Sequence, residues 1–269
     1  MRKLTFAAAI AAAIALSQAG PLSAQWIEPE EGTFFAKAAR PEGLSPVASQ
    51  ESVTAGNCPQ SAFPVRASYP QGFDGGGPVD QAVKAKAGEF FSNAVKEAED
   101  FLKGLETCVA LEYLEYDLAS GPFKPSSKAF SVLFLWNVNT GGAHPSFGYA
   151  SMNLGPDGRE LTAAGLFADP AKSLPLLWAR IVKDTCTGGH ETAPSYYGSP
   201  ECPGAAATLP SQLAPDATLD GMGHAVLTSL GITFNLDPYD GWSWAEGPVN
   251  LDIPKDDLVA MGASPELWE

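Results

Sequence analysis

The residues best suited to chemistry lie in one short string, in which His144, Ser146 and Gly148 spell His-x-Ser-x-Gly. The string approaches the Gly-x-Ser-x-Gly turn of serine hydrolases, where the serine lies on a sharp turn between a strand and a helix. Here histidine replaces the first glycine, and the flanking residues predict a strand on both sides. The string therefore lacks the context of a nucleophilic serine and instead predicts a hairpin that presents one histidine.

A second candidate is the pair of carboxylates Asp237 and Asp240, which flank a Pro-Tyr dipeptide. Paired carboxylates perform general acid and base chemistry, but aspartates beside proline and glycine also form ordinary turns. The sequence contains no glycine-rich phosphate loop, no His-Glu-x-x-His and no Cys-x-x-Cys. We therefore predict no catalytic residue, no cofactor and no metal, and we expect a protein that is not an enzyme. A hydrolase that uses His144 with Ser146 or Asp240 is the catalytic alternative.

Two interpretations of His144 stay open. Its ring either donates to a nearby carbonyl and stabilises the hairpin, or it lines a groove together with aromatic side chains. Tyrosine and tryptophan offer large, semi-rigid contact areas, and several lie in and beside the glycine-containing segment 240–247. The candidate binding residues are His144, Tyr149, Tyr239, Asp240, Trp242 and Trp244. Packing of these aromatics on the hairpin is the structural alternative.

Two disulfides are suggested by the four cysteines, Cys58, Cys108, Cys186 and Cys202. Three connectivities are possible. We favour Cys186 with Cys202 and Cys58 with Cys108, because the first pair closes a loop rich in glycine and proline that has no core-forming pattern. Closing a loop of this size stabilises a fold by about 3 kcal/mol when the native geometry is unstrained. The alternative is a metal site in which His190 and His224 join Cys186 and Cys202.

The hairpin around His144 needs two strands and a tight turn. Residues 130–137 alternate aromatic side chains with a second, largely apolar set, which is typical of a strand inside a sheet. Gly141 and Gly142 supply the positive φ of the turn, and a return strand is predicted over 147–154. A second turn at 155–158 and a helical turn near Thr162 follow.

The rest of the chain predicts helices and strands without a regular βαβ alternation. We expect a strand over 62–69, a helix from Pro78 to Gly104 and a strand over 105–118. The helix carries an apolar stripe of Val79, Val83, Ala87, Phe90, Ala94, Ala98 and Phe101. Later elements are a helix over 173–184, paired strands over 224–227 and 232–236, and a strand end at 253–254 that continues into a short helix over 255–261. We therefore predict an α+β fold with a mixed or antiparallel sheet and two or three packing helices.

The N-terminus is typical of a secretory signal peptide. Arg2 and Lys3 precede an apolar run over 4–16, and small residues follow up to Ala24. The run is shorter than the ~20 residues of a membrane-spanning helix, so we expect cleavage after Ala24, no membrane insertion of the mature chain, and export to the periplasm or the extracellular space. We divide the chain into a signal peptide (1–24), an irregular N-terminal arm (25–60), a strand-helix-strand subdomain (61–125) and a C-terminal domain (126–269).

The composition makes the chain strongly acidic. It has 31 Asp and Glu against 16 Lys and Arg, a net charge of −15, and loss of Arg2 and Lys3 with the signal peptide leaves 31 against 14, or −17. Nucleic acids and anionic membrane surfaces are poor partners for such a charge. The acidity either serves solubility alone or attracts a cationic partner.

Two strings, residues 136–167 and 231–258, resemble the C-terminal domain of RsiV-type anti-sigma factors and of some exported polysaccharide deacetylases, a domain family of largely unknown function. The matching residues are Gly141, Gly142, Ala143, His144, Asp157, Gly158, Leu166, Phe167, Pro238, Tyr239, Ala245, Gly247, Ile253 and Pro254. The likeness covers roughly residues 128–260. The strand ending at Tyr69 and Pro70, with the helix after it, resembles the domain that usually precedes this one.

This resemblance implies an accessory or binding module, because the catalytic metal-binding domain of those deacetylases is a separate segment that nothing here matches. The anti-sigma relatives use the domain to sense lysozyme, which implies a cell-envelope protein that binds a cationic protein of lysozyme type. We find no counterpart of their cytosolic arm and spanning helix, so direct control of a sigma factor is not expected. A module that binds cell-wall glycan (peptidoglycan) is the alternative, suggested by the deacetylases and by Trp242 and Trp244.

Overall fold

The computed structural model describes residues 26–27, 33–55, 58–106, 114–142, 144–186, 216–236 and 249–269. The strands in these ranges are β1 (Ser45–Ala55), β2 (Cys58–Gln71), β3 (Glu115–Phe123), β4 (Phe130–Asn139), β5 (Ser146–Leu154), β6 (Val226–Thr228), β7 (Gly231–Leu236) and β8 (Val249–Pro254). The helices are α1 (Phe34–Lys37), α2 (Pro78–Gly104), α3 (Ala163–Leu166), α4 (Pro170–Cys186) and α5 (Lys255–Ala260). None of the helices described here is long and apolar enough to cross a membrane.

Five strands form the larger sheet, in the order β1-β2-β3-β4-β5. All neighbours are antiparallel except β2 and β3, which are parallel. Parallel neighbours need a crossover connection, and the 27-residue helix α2 supplies it. A smaller sheet pairs β6, β7 and β8 antiparallel. The fold is therefore α+β with a mixed sheet, which confirms the predicted fold class.

Helix α2 covers one face of the larger sheet, which we call the helix face. Pro78 occupies the first turn, and the Asp74 carboxylate accepts the backbone N–H of Val79 at 2.8 Å. Asp80 accepts three backbone N–H groups of the loop 72–76 within 3.0 Å. Burial raises the pKa of Asp80, but these bonds bring it below its usual value. The buried side of the helix consists of Val79, Asp80, Val83, Ala87, Ala94, Ala98 and Leu102.

Strand β4 lies inside the larger sheet and is buried on both faces over its first half, as its alternation predicts. On the helix face, Phe130, Val132 and Phe134 are at most 5% exposed. On the opposite face, which we call the second face, Ser131 and Leu133 are equally buried. Leu133 belongs to an apolar cluster with Ile27, Ala119, Phe123 and Val226.

The smaller sheet, α4 and α5 share a second core, whose members include Leu166, Phe167, Leu174, Leu177, Ile181, Leu227, Ile232, Phe234, Leu251, Ile253 and Leu258.

A buried amide joins this unit to the larger sheet. Asn153 of β5 accepts from Ser131 Oγ at 2.7 Å and from the Leu227 N–H at 3.0 Å, and it donates to the carbonyl oxygen of Ala225 at 2.7 Å. Asn153 is 2% exposed, so its hydrogen bonds are made within the protein.

The N-terminal segment differs from the predicted irregular arm over 25–60. Residues 45–55 form β1, the edge strand of the larger sheet, which pairs with β2 along its length. Most β1 side chains are exposed, so the segment lacks the apolar alternation that identifies a strand. Pro46 fits because an edge strand tolerates proline. Within residues 33–44, Phe34–Lys37 form the short helix α1, held by a hydrogen bond from the Phe34 N–H to Asp252 Oδ2 at 2.8 Å.

The strand predicted over 105–118 is also displaced. Leu105 caps α2 through its N–H, and β3 begins at Glu115. The strands of the β4–β5 hairpin, the helical turn α3, helix α4 and the β6–β7 pair lie where the sequence predicts them, to within a few residues. Helix α5 directly follows the strand end at 253–254, as predicted. Gly262, which has a φ of 102°, ends the helical segment.

Candidate functional site

The β4–β5 hairpin ends in an exposed turn that presents His144. Gly141 has the positive φ that the turn requires, 78°, and its N–H donates to Asn139 Oδ1 at 2.9 Å. The Nδ1 of His144 lies 3.0 Å from the carbonyl oxygen of Pro145. His144 is exposed, and both interpretations of its role stay predictions.

Tyr149 has different surroundings from His144. It lies on β5, directly across from Leu135, and is half-buried in the apolar cluster of the second face. The hairpin therefore presents one accessible histidine at its tip and one tyrosine packed on its second face. The other predicted binding residues lie outside the described ranges, between β7 and β8: Tyr239, Asp240, Trp242 and Trp244.

The predicted disulfides stay predictions, because Cys108 and Cys202 lie outside the described ranges. Cys58 opens β2 and Cys186 ends α4. Of the alternative metal ligands, His190 also lies outside, whereas His224 is described and lies 2.8 Å from Asp220 through its Nδ1. Among the described residues, no three His, Cys, Asp or Glu side chains are grouped to hold a metal ion.

A row of mainly polar side chains, which the sequence analysis missed, crosses the second face near the hairpin. Arg66 on β2 is in register with Asp117 on β3, Asp117 with Asn137 on β4, and Asn137 with Phe147 on β5. Residues directly opposite on neighbouring strands point to the same face, so these four side chains form one line across the sheet. We call this line the Arg66 row.

Arg66 holds two carboxylates at this end of the sheet. Its Nη2 lies 2.9 Å from Glu115 Oε2, and its Nε lies 2.7 Å from Asp117 Oδ1. The side chains of Arg66, Glu115 and Asp117 are 22%, 17% and 10% exposed. Burial raises the pKa of Asp117 to about 6, an effect that Arg66 opposes and Glu115 reinforces. One guanidinium beside two carboxylates leaves a net charge of −1 when both acids are ionised.

Within the described part of the chain, two buried polar atoms of this row have no hydrogen-bond partner, the Nε of Arg66 and the Oδ1 of Asn137. The Nε is close to Asp117 as an ion pair, but its N–H does not point at the carboxylate. Asn137 is 6% exposed. Buried polar atoms are hydrogen-bonded in the great majority of native structures. These two atoms are exceptions to that rule among the described residues, and both belong to one row.

A second polar group, Asp220 with His224, lies at the outer edge of β5. Asp220 Oδ1 accepts the backbone N–H of Ser151 at 2.6 Å and lies 2.8 Å from His224 Nδ1. Burial raises the pKa of Asp220, but the bonds from His224 and Ser151, with the charge of Lys86, bring it below its usual value. His224 has a φ of 47°, an uncommon conformation for a residue other than glycine. In acid-base catalysis, an aspartate often orients a histidine. The Asp220 carboxylate, however, also accepts a backbone N–H of the edge strand β5, which is a structural role.

The fold is similar to two solved structures. One is a DUF3298 family protein from Pseudomonas aeruginosa PAO1, with a TM-score of 0.54 and 16% sequence identity, where the match covers 85% of this chain and 97% of that one. The other is a member of the DUF3298 family from Bacteroides fragilis, with a TM-score of 0.53 and 18% identity, covering 84% of this chain and 96% of that one. These identities show a shared fold and nothing beyond it. No protein-family model and no curated protein sequence matches the chain.

Proposed function

We propose that the mature chain is an exported, non-catalytic protein of the cell envelope that binds a basic protein, with lysozyme as the partner to test first. The observation that carries this proposal is the excess of carboxylates, 31 acidic residues against 16 basic ones. The sequence resemblance to the domain of lysozyme-sensing anti-sigma factors supports it. The fold, similar to proteins of a domain family whose designation states no function, is compatible with a binding role.

Many of the described basic side chains are already paired with carboxylates. Ion pairs within the protein hold Arg66, Lys86, Lys103, Lys128, Arg159 and Arg180. Each pair matches a positive charge with a negative one, so the net charge is unchanged and the surplus is carried by other carboxylates. Exposed examples are Glu42, Glu51, Asp169, Asp216 and Asp256. Such a surface accelerates the capture of a basic protein, by at least ~10-fold at low salt.

We place the contact at the hairpin end of the larger sheet. His144 is exposed there, and the turn beside it contains two exposed glycines. We also propose contacts from the candidate residues Tyr239, Asp240, Trp242 and Trp244, which lie outside the described ranges. Exposed turns on a rigid sheet are common positions for binding residues.

Calorimetric titration of residues 25–269 into a basic lysozyme tests this proposal. We expect micromolar or tighter binding at low salt that weakens at high salt, since salt shortens the range of charge interactions from about 10 Å at 0.1 M to about 3 Å at 1 M. His144→Ala should weaken the binding, whereas the control Gln50→Ala, on the exposed edge strand, should not. Absence of binding at both salt concentrations would overturn the proposal.

A further inference from the structure

We propose that the outer edge of strand β1 binds the same edge of a second copy of the chain, antiparallel and around a two-fold axis at Gln50. β1 is the first strand of the larger sheet, and among the described residues no strand or bridge pairs with its outer edge. An edge strand presents a row of unpaired N–H and C=O groups, which is a template for pairing with another chain. β1 and β5 lie at opposite edges of the sheet, so this interface does not include the β4–β5 hairpin.

The two edges of the larger sheet differ in how they are covered. At β5, Asp220 Oδ1 accepts the Ser151 N–H at 2.6 Å, and the Leu161 N–H donates to the carbonyl oxygen of Asn153 at 2.7 Å. Within the described ranges, no backbone group outside the sheet bonds to the backbone of β1 in this way, and most β1 side chains are exposed. In the described part of the chain, the sheet is therefore covered at β5 and open at β1.

Prolines in the β1–β2 pair determine which backbone groups of β1 point outward. Pro46 lies opposite Pro70, and Ser52 lies opposite Pro64. Proline has no N–H, so neither pair can exchange the two N–H···O bonds of a hydrogen-bonded pair. Hydrogen-bonded and non-hydrogen-bonded pairs alternate along an antiparallel ladder, and a residue of a non-hydrogen-bonded pair directs its N–H and C=O away from the neighbouring strand. The even-numbered residues of β1 therefore direct these groups to the open edge.

Only the middle of this edge can pair with another strand. Pro46 offers no outward donor, and at the other end the β1–β2 register shifts between Thr54 and Ala55, which interrupts the ladder. The positions in between that direct both N–H and C=O outward are Ala48, Gln50 and Ser52. They are evenly spaced about Gln50, so a two-fold axis there pairs Ala48 of each copy with Ser52 of the other, and Gln50 with its own counterpart. Each of these pairs exchanges two N–H···O bonds.

The side chains of β1 favour the same axis. Its helix face carries Val47, Ser49, Glu51 and Val53, of which Glu51 is the one charged residue of the strand. With the axis at Gln50, Val47 lies opposite Val53 of the second copy. Ser49 then lies opposite Glu51, and its hydroxyl donates to that carboxylate. An axis at Glu51 would place two carboxylates opposite each other, and an axis at Ser49 would place Ser52 opposite Pro46, which lacks a donor. The backbone and the side chains therefore select the same centre.

The net charge of the chain predicts how salt affects this contact. Two mature copies repel each other, because each has 31 Asp and Glu against 14 Lys and Arg, the 16 of the full chain less Arg2 and Lys3. Salt screens such repulsion between exposed charges, with a range of about 8 Å at 0.15 M. The dimer should therefore become tighter as salt rises, whereas binding of a basic protein should weaken. The opposite salt dependence distinguishes the two contacts.

Sedimentation equilibrium of residues 25–269 at about 0.15 M and about 0.5 M NaCl tests the proposal. We expect a monomer–dimer equilibrium with more dimer at the higher salt. Ser49→Glu should weaken the dimer by at least ~5-fold, because it places two carboxylates opposite each other on both sides of the axis. The matched control Ser52→Glu adds the same charge to the same strand but faces Ala48, so it should change the affinity by less than ~2-fold. A monomer at every concentration and salt, or equal losses in the two variants, would overturn the proposal.

Cysteine cross-linking tests the position of the axis. In a hydrogen-bonded pair the Cα atoms are about 5.5 Å apart, within the roughly 4.4–6.8 Å that a disulfide spans. Gln50→Cys should therefore give a disulfide-linked dimer under mild oxidation, which a non-reducing gel detects. The control Ser52→Cys should not, because its two cysteines would lie four residues apart along the paired strands, about 14 Å. A cross-link that forms equally in both variants or only in Ser52→Cys would show that the axis is not at Gln50, as would the absence of a cross-link in Gln50→Cys.

Discussion

Two asparagines on the second face, Asn153 and Asn137, show how differently the fold uses buried amides. Asn153 bonds to two neighbouring segments and joins the two sheets. Asn137 is almost as buried, yet its Oδ1 has no partner among the described residues. A satisfied buried amide stabilises a fold, whereas an unsatisfied one costs stability.

Asn153→Ala is expected to destabilise the protein by about 3 kcal/mol, because it leaves the Leu227 N–H, the Ala225 carbonyl and the Ser131 hydroxyl buried without their partner. Urea unfolding followed by circular dichroism measures the change. Ser151→Ala is the control on the same strand and face, because its buried hydroxyl has no hydrogen-bond partner among the described residues. A loss below about 1 kcal/mol for Asn153→Ala would show that the amide does not join the sheets.

The raised pKa of Asp117 predicts a specific pH dependence. Its pKa changes from 3.8 to about 6 on folding, so between these values the folded protein binds more protons at this group than the unfolded chain. This group therefore makes stability fall as the pH rises through that window. Asp117→Asn removes the effect, and the stability of the variant relative to the wild type should rise by up to about 3 kcal/mol from pH 4 to pH 7.

Urea unfolding of both proteins across this pH range measures the difference. Groups such as Asp220 and Asp80 titrate in both proteins, so their contributions cancel. A difference that stays constant from pH 4 to pH 7, or falls, would contradict the burial of an ionisable Asp117.

At the scale of elements, a close approach of backbone holds helix α2 against the hairpin. Gly158, in the turn after β5, has a φ of 75°, and a Cβ there would lie 2.5 Å from the carbonyl oxygen of Pro78. The turn thus lies directly on the first residue of α2. This contact and the apolar stripe of the helix set its position over the larger sheet.

Gly158→Ala should therefore destabilise the protein by about 3 kcal/mol, from strain at positive φ and from the clash with Pro78. Gly75→Ala is the matched control, since Gly75 has a φ of 70° with no atom within 4 Å of the added Cβ. We expect the control to lose only the strain, about 1 kcal/mol. Thermal unfolding of both variants measures the losses, and equal losses would show that the close approach is unimportant.

The elements that the sequence predicts well are those with a strong local pattern. Helix α2 has a proline at its start, a glycine at its end and an apolar stripe, and β4 has a long alternation. Strand β1 has none of these signals, because its position at the edge leaves most side chains exposed. The register of the sheet also depends on pairing between distant segments, which no local pattern contains.

Local sequence patterns predict the candidate site even less completely than they predict the fold. His144 is recognisable because it follows a glycine turn, and the structure does present it at the hairpin tip. The Arg66 row consists of single polar residues in three separate strands, each unremarkable in its own segment. Only the register brings Arg66, Asp117 and Asn137 together. The one local signal was Asn137, where the largely apolar pattern of β4 first gives way to a polar residue.

At the scale of the whole molecule, the residues that stabilise the fold are different from those that carry the excess charge. The two sheets, their helices and the Asn153 contact form the interior, while surplus carboxylates remain on the outside. Net charge acts on association and solubility and not on the fold. The acidity is therefore available for a partner of opposite charge.

The most direct test of the proposed role is a calorimetric comparison of two forms of one lysozyme, native and succinylated, each titrated with the mature protein at low salt. Succinylation reverses the charge of the lysines, and circular dichroism would verify that the modified lysozyme stays folded. We predict saturable binding of the native form and at least ~10-fold weaker binding of the succinylated form. Equal affinity for the two forms, or no binding of the native form, would contradict capture of a basic protein through the acidic surface.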